Sequence, residues 1–214
     1  MTAEPIVRGA EPADFDEIVE MRAVAFGDPD SDWPRTSTER DPNHTPDLHR
    51  ICIVDGKIVS AMRIVRQKVH YGRAVLNHAG VADVGTLPDY RHHGYSTLVL
   101  RDALKHMREI GAHFSLLYTG IQPFYERLGW AILPLEVPRF TFRTTRLLPS
   151  DETAWVRDFD AHEHLDAVSS LYEEFNARKT ATVVRQDRYW KVRFADQLRP
   201  DVLVAGRRSV PEAY

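Results

Sequence analysis

The stretch Val81-Ala-Asp-Val-Gly-Thr-Leu-Pro-Asp-Tyr-Arg-His-His-Gly-Tyr-Ser-Thr-Leu-Val-Leu100 decides the fold of this 214-residue chain. It reads as strand, tight loop and helix. The strand ends at Pro88, the loop is Arg91-His92-His93-Gly94-Tyr95-Ser96, and the helix begins near Ser96. Such a turn aims several backbone N–H groups outward at a helix N-terminus, where the partial positive charge favours an anion.

Working outward, Thr97 to Ile110 places Leu100, Leu104 and Met107 on one helical stripe, and Gly111 suits its end. Phe114-Ser-Leu-Leu-Tyr118 reads as a short buried strand. In Gly120 to Trp130, Pro123 suits a helix start and Gly129 its end. Phe124 and Leu128 share a face of that helix, while Tyr125 is rotated by roughly 100° and need not be core. Ala131-Ile-Leu and Phe140-Thr-Phe-Arg-Thr read as further strands. Upstream, Leu76 to Thr86 is a strand, preceded by the turn Tyr71-Gly72-Arg73. Asp55-Gly56 separates the β-rich runs Arg50–Val54 and Lys57–Val69 and signals a hairpin. Pro12 to Phe26 has the spacing of an amphipathic helix, follows the extended Ile6-Val7-Arg8, and closes at Gly27. Residues 28–47 are rich in turn-formers, with some helix around Thr38 to Arg40. Loops this long inside a domain are commonly functional.

The chain carries a net charge of −3 and a pI near 6.4, which excludes a nucleic-acid binder relying on bulk positive charge. The lone Cys52, in the apolar run Ile-Cys-Ile-Val, excludes an intrachain disulfide and reads as a small core residue. No segment looks like a signal or a membrane span, so a cytoplasmic protein without membrane association is expected. The composition shifts at Leu147 to Thr153, giving units 1–147 and 148–214. In the second, Val156–Phe159 followed by a helix from His162 to Phe175 echoes the start of the chain, a diverged repeat. Gln186 to Leu198 reads as helix, Val202-Leu-Val-Ala as strand and Gly206-Arg-Arg as a turn. His162 and His164, two apart on a helix, read as surface residues and not as metal ligands.

Arg91-His-His-Gly94-Tyr-Ser96 resembles the Arg/Gln-x-x-Gly-x-Gly/Ala loop of the GNAT superfamily of N-acetyltransferases. Phe124-Tyr125-Glu-Arg-Leu-Gly129-Trp130 resembles that family's Phe-Tyr-x-x-x-Gly-Phe segment. The two come in the family's order and separation, and the resemblance covers about residues 3 to 145. The layout also looks like the enhanced-intracellular-survival (Eis) type, in which a second GNAT-like domain and a further C-terminal domain follow. The implied fold is α/β (α+β): a mixed, mostly antiparallel sheet flanked by helices, with splayed parallel strands at an acyl-CoA site.

The resemblance implies that the amides from His92 to Ser96, with Arg91 beside them, hold the pyrophosphate of acetyl-CoA. Gly94 gives close backbone approach, and Ser96 is in addition a possible helix cap. Val84 and Thr86 stand where the family pairs the pantetheine arm with the strand. Tyr125 stands where it donates a proton to the leaving thiolate. The expected reaction is direct attack by a primary amine of a small molecule, with the oxyanion on a backbone N–H near Val84. Asp28 and Trp33, in a loop rich in carboxylates, are candidates for a cationic acceptor. Asp83, unusual in an apolar strand, is read as a structural carboxylate before a proton acceptor. The general base is open, since Gly80 stands about where some members carry Glu. The other readings are a non-catalytic acyl-CoA-binding module, and a structural partner that forms a homo-oligomer through residues 150–214.

Overall fold

The computed structural model describes residues 4–134, 153–191, 203–207 and 210–213. The strands β1 (Ile6–Gly9), β2 (His49–Val54), β3 (Lys57–Tyr71) and β4 (Ala74–Thr86) form one antiparallel sheet in that order. Asp55 and Gly56 turn β2 into β3, both at positive φ, as a two-residue hairpin connection matched to strand twist requires.

Both faces of the sheet are covered, because the strands alternate apolar residues to each side. On one face the helix α3 (Tyr95–Glu109) sets Val99, Leu100, Ala103 and Met107 against Cys52, Met62, Ile64 and Ala79. On the other, Ile18 and Met21 of α1 (Phe15–Ala25) pack on Ile51, Ile58 and Ala61. Each fully buried aliphatic side chain contributes about 1.5–3 kcal/mol.

Several elements depart from the sequence reading. The helix α2 (Trp33–Glu39) begins at Trp33, well before Thr38. Pro34 lies in its first turn, where a missing N–H is harmless. Phe114 to Tyr118 is no buried strand: it makes one parallel bridge, Phe114 with His78, and Leu116 and Tyr118 are exposed. Ala131 to Leu133 forms no strand, and Ile132 and Leu133 are exposed. The pairing of β3 with β4 slips at Met62. Ala61 pairs Gly85 and Arg63 pairs Ala82, so Asp83 and Val84 face a single residue, and Asp83 takes φ 58°. This is a β-bulge.

After the helix α4 (Gln122–Glu126), the expected strand at 140–144 and the unit boundary at 147 lie outside the described residues. Beyond them come β5 (Ala154–Asp158), α5 (Ala161–Asn176), α6 (Asp187–Tyr189), β6 (Leu203–Arg207) and β7 (Val210–Ala213). The strands form a second antiparallel sheet, β5-β6-β7. Strand β5 and helix α5 repeat the order of β1 and α1. Gly206 and Arg207 continue β6 and are not a turn. Residues 181–184 run antiparallel along the outer end of β3, where the His70 amide donates to the Thr182 carbonyl at 2.8 Å. His164 is buried, contrary to its reading as a surface residue. Its Nδ1 accepts the Asp160 amide at 2.9 Å, with Trp155 and Phe159 against the ring.

Candidate active site

The loop after β4 is shaped by two left-handed residues, His92 at φ 66° and Gly94 at φ 85°. Gly94 caps α3 and its carbonyl accepts from Thr97 at 2.9 Å. No acceptor among the described residues takes the amides of residues 92 to 96. Two left-handed residues with one residue between them, the amides around them unpaired among the described residues, suit an anion-binding turn of the kind called a nest. The loop is exposed, and the positive end of α3 adds to the same field. Ser96 lies inside the helix and does not cap it, because Gly94 already does.

The side chains of the loop do other work. Arg91 donates from Nη2 to the Ala25 carbonyl at 2.9 Å and from Nε to the Thr86 carbonyl at 3.3 Å. It therefore stacks its charge on the C-terminal turn of α1, where a cation is favoured, and is no free phosphate ligand. The His93 Nδ1 lies 2.7 Å from the Arg91 carbonyl, and its ring stacks on Tyr95 at 5.8 Å between centroids. The imidazole braces the turn.

Outer-edge pairing of β4 is partial. The His113 amide donates to the Asn77 carbonyl, Ala79 to Phe114 and Val81 to Leu116, at 2.9–3.1 Å. No backbone hydrogen bond joins residues 82–86 to residues 117–121. The edge is open over the bulge, Val84 and Thr86, where an extended ligand can add as a strand does. The Thr86 hydroxyl is engaged with the Ser60 hydroxyl at 2.9 Å.

Tyr125, on α4, is 9% exposed and belongs to the same apolar cluster as Val84 and Tyr95. Its ring meets Phe124 and Trp130 edge-on at 5.0 and 5.9 Å. It is core, contrary to the helical-wheel reading, because α4 is too short to present one buried face and both neighbours fold over it. Burial pushes its phenol above the ordinary value. It lines an apolar cavity of about 260 Å³ with Leu117, Tyr118 and Trp130.

Asp83 is held by arginines. Its Oδ2 lies 2.5 Å from Nη2 of Arg22 and 3.1 Å from Nε of Arg63. Neither arginine was singled out from sequence, although Arg22 interrupts the buried run Met21 to Ala23 on α1. Asp28 and Trp33 lie on the α1–α2 segment, and both are exposed, Trp33 at 61%. That segment begins against β4, since a Cβ on Gly85 would come within 3.1 Å of Ala25 and 3.6 Å of Phe26. A Cβ on Gly80 would meet the His78 ring at 3.2 Å and Val65 at an ordinary 3.5 Å, so a side chain there requires the His78 ring to move. Among the described residues no cluster of three or more His, Cys, Asp or Glu is placed to hold a metal, and no helix is long and apolar enough to cross a membrane.

Comparison with known proteins follows this geometry. A comparison with curated proteins gives no match. Among solved structures, a GCN5-related N-acetyltransferase from Kribbella flavida is 20% identical with a TM-score of 0.70, covering 96% of this chain and 52% of that one. A GCN5-related N-acetyltransferase from Anabaena variabilis is 15% identical with a TM-score of 0.73, covering 98% and 53%. Eis1 from Mycobacterium abscessus is 17% identical with a TM-score of 0.65, covering 96% and 52%. The chain spans about half the length of these structures, and at such identities the likeness is one of fold. The family model for the acetyltransferase (GNAT) domain matches residues 6–133, and the chain belongs to that family.

Proposed function

We propose that this chain transfers an acetyl group from acetyl-CoA to a primary amine of a small molecule. The observation that carries the reading is the row of acceptor-free amides, residues 92 to 96, at the end of a strand whose outer edge is open. The catalytic unit is residues 1–147, and residues 148–214 belong to a second unit.

The amides hold the pyrophosphate, and the open edge at Val84 and Thr86 takes the pantetheine arm. A neutral amine attacks the thioester carbon, and negative charge develops on its oxygen. The Val84 amide donates to that oxygen; one such donor is worth about 10²–10³ in rate. As the carbon–sulfur bond breaks, the Tyr125 phenol gives its proton to the thiolate; the proton shed by the attacking nitrogen passes to solvent, and the phenolate takes one back from solvent. Its raised pKa keeps it protonated at neutral pH. Asp28 and Trp33 suit a cationic acceptor, through charge and through the face of the indole. The test is acetyl-CoA with a panel of primary amines, read as free thiol. Thiol release that depends on an amine supports the reading. Tight acetyl-CoA binding without release on any amine overturns it in favour of a binding module.

A further inference from the structure

Four charged side chains meet under the bulge of β4. Arg22 is 1% exposed, Arg63 and Asp41 are each 6%, and Asp83 is 16%. Their charges balance. One oxygen of Asp83 receives both guanidinium groups, at 2.5 and 3.1 Å. Nη1 of each arginine reaches the segment that carries Trp33, while the buried Nε of Arg22 has no partner among the described residues. Nη1 of Arg22 donates to the Pro34 carbonyl at 3.2 Å and to the Thr38 hydroxyl at 3.3 Å. Nη1 of Arg63 donates to the Ser37 carbonyl at 3.2 Å and to Asp41 at 3.4 Å. The cluster thus ties α1, α2, β3 and β4 together at one residue.

Stability does not account for it. Well-packed apolar side chains commonly serve as well as a buried charge cluster, or better. What the cluster supplies is geometry. Asp83 is a residue with a Cβ in the left-handed region, at φ 58°, inside a strand. That conformation is disfavoured for such residues, persists only where its surroundings fix it, and is tolerated best by Asp and Asn. A bulge also re-aims the residues at its tip, because one of them leaves the ladder. The residue after Asp83 is Val84, opposite the same Met62.

We propose that Asp83 is a positioning residue: gripped by Arg22 and Arg63, its carboxylate fixes the turn in β4 that aims the Val84 amide at the reacting thioester oxygen. This rests on the acetyl-transfer reading above. It removes Asp83 from the residues that face the substrate and gives the two buried arginines a part in the reaction without contact to it. The grip acts mainly on the rate of the chemical step: the pyrophosphate amides of residues 92 to 96 lie beyond the bulge, and only the pantetheine pairing at Val84 shifts with it.

The test compares the wild-type chain with Asp83→Asn, Arg22→Met/Asp83→Asn and Arg63→Lys. Turnover is normalised to acetyl-CoA-binding stoichiometry, and acetyl-CoA affinity is measured by calorimetry. Asp83→Asn keeps the tolerance for the left-handed turn but removes the charge. The double variant removes the charge together with the guanidinium it would strand. Arg63→Lys keeps a charge but cannot span Ser37, Asp41 and Asp83 at once, and folds most readily of the three. A donor displaced by ~1 Å costs about 10²-fold. The expected result is therefore a kcat lower by about 10²-fold in the Asp83 variants and by about 10-fold in Arg63→Lys, with acetyl-CoA affinity lowered far less than kcat. Wild-type kcat in any folded variant overturns the proposal, as does an acetyl-CoA affinity that falls as far as kcat does. Absence of turnover in the wild-type chain with every amine overturns the acetyl-transfer reading itself and this proposal with it.

Discussion

His49 opens β2 at 1% exposure, and its Nδ1 lies 3.2 Å from Nε2 of His44. Its own Nε2 has no partner among the described residues. Burial first, then the neighbouring charges of His44, Arg22 and Arg63, push its pKa down to about 2. The folded protein therefore keeps this imidazole neutral, while the unfolded chain protonates it near 6.5. The sign follows: the contribution is complete above pH 6.5 and is lost progressively as pH falls toward the folded value. At pH 5 the loss is about 1.36 kcal/mol per unit over 1.5 units, or ~2 kcal/mol. For a chain of this size that corresponds to roughly 4–8 °C in Tm. Urea unfolding at pH 7.5 and pH 5.0 measures it, with His49→Gln as the reference. Gln keeps an acceptor for His44 and cannot titrate, so carboxylates and the other histidines cancel in the difference. The wild-type protein should lose about 2 kcal/mol more than the variant between the two pH values. Equal losses would refute the argument that a neutral buried imidazole sets the acid limit.

Four further outcomes concern the site. Tyr125→Phe should lower kcat by about 10²-fold with acetyl-CoA affinity intact. In the wild-type chain the alkaline fall of kcat should come above pH 10, because burial raises the phenol. Gly94→Ala meets no atom within 4 Å, so its only penalty is a Cβ at φ 85°. That is roughly 1–2 kcal/mol, a 5- to 30-fold weaker acetyl-CoA Kd by calorimetry if binding needs the turn, with Tm lowered alongside. Trp33→Ala, at an exposed indole, should raise KM for a cationic amine by about 2- to 5-fold and leave kcat alone, as expected of a cation–π contact of about 0.5–1 kcal/mol at an exposed site. Unchanged KM would take Trp33 out of the acceptor wall.

The sheet, its hairpin and the anion loop were legible because each is written in local chemistry. Asp55-Gly56 demands a tight turn, and the glycine of Arg91–Ser96 just before an apolar helical stripe marks a loop entering a helix, although the cap is Gly94 and not Ser96. What escaped was settled at longer range. Alternation through Val81 to Thr86 gives no hint of a slip at Met62, since the bulge depends on two arginines supplied by α1 and β3. Asp83 was conspicuous as a charge in an apolar run, but its partners lie 61 and 20 positions away. Tyr125 was misplaced because a helical wheel assumes a helix long enough to have a face, whereas α4 has 5 residues. His164 reads as polar, yet the N-cap at Asp160 turns its ring under Trp155. The start of α2 at Trp33 was hidden by prolines on either side of a run of acids, composition that serves a first helical turn as well as a loop.

The staple made by Arg91 has a bearing on how the two substrates meet. It joins the end of α1 to the end of β4 through carbonyls of Ala25 and Thr86. On the acetyl-transfer reading, this ties the rim of the proposed phosphate nest to the root of the proposed acceptor segment. On that reading, a loop that shifted on binding pyrophosphate would carry the last turn of α1 with it, and an amine held by the α1–α2 segment would press back on the nest. The two affinities are then linked by a single factor, equal whichever substrate is first to bind.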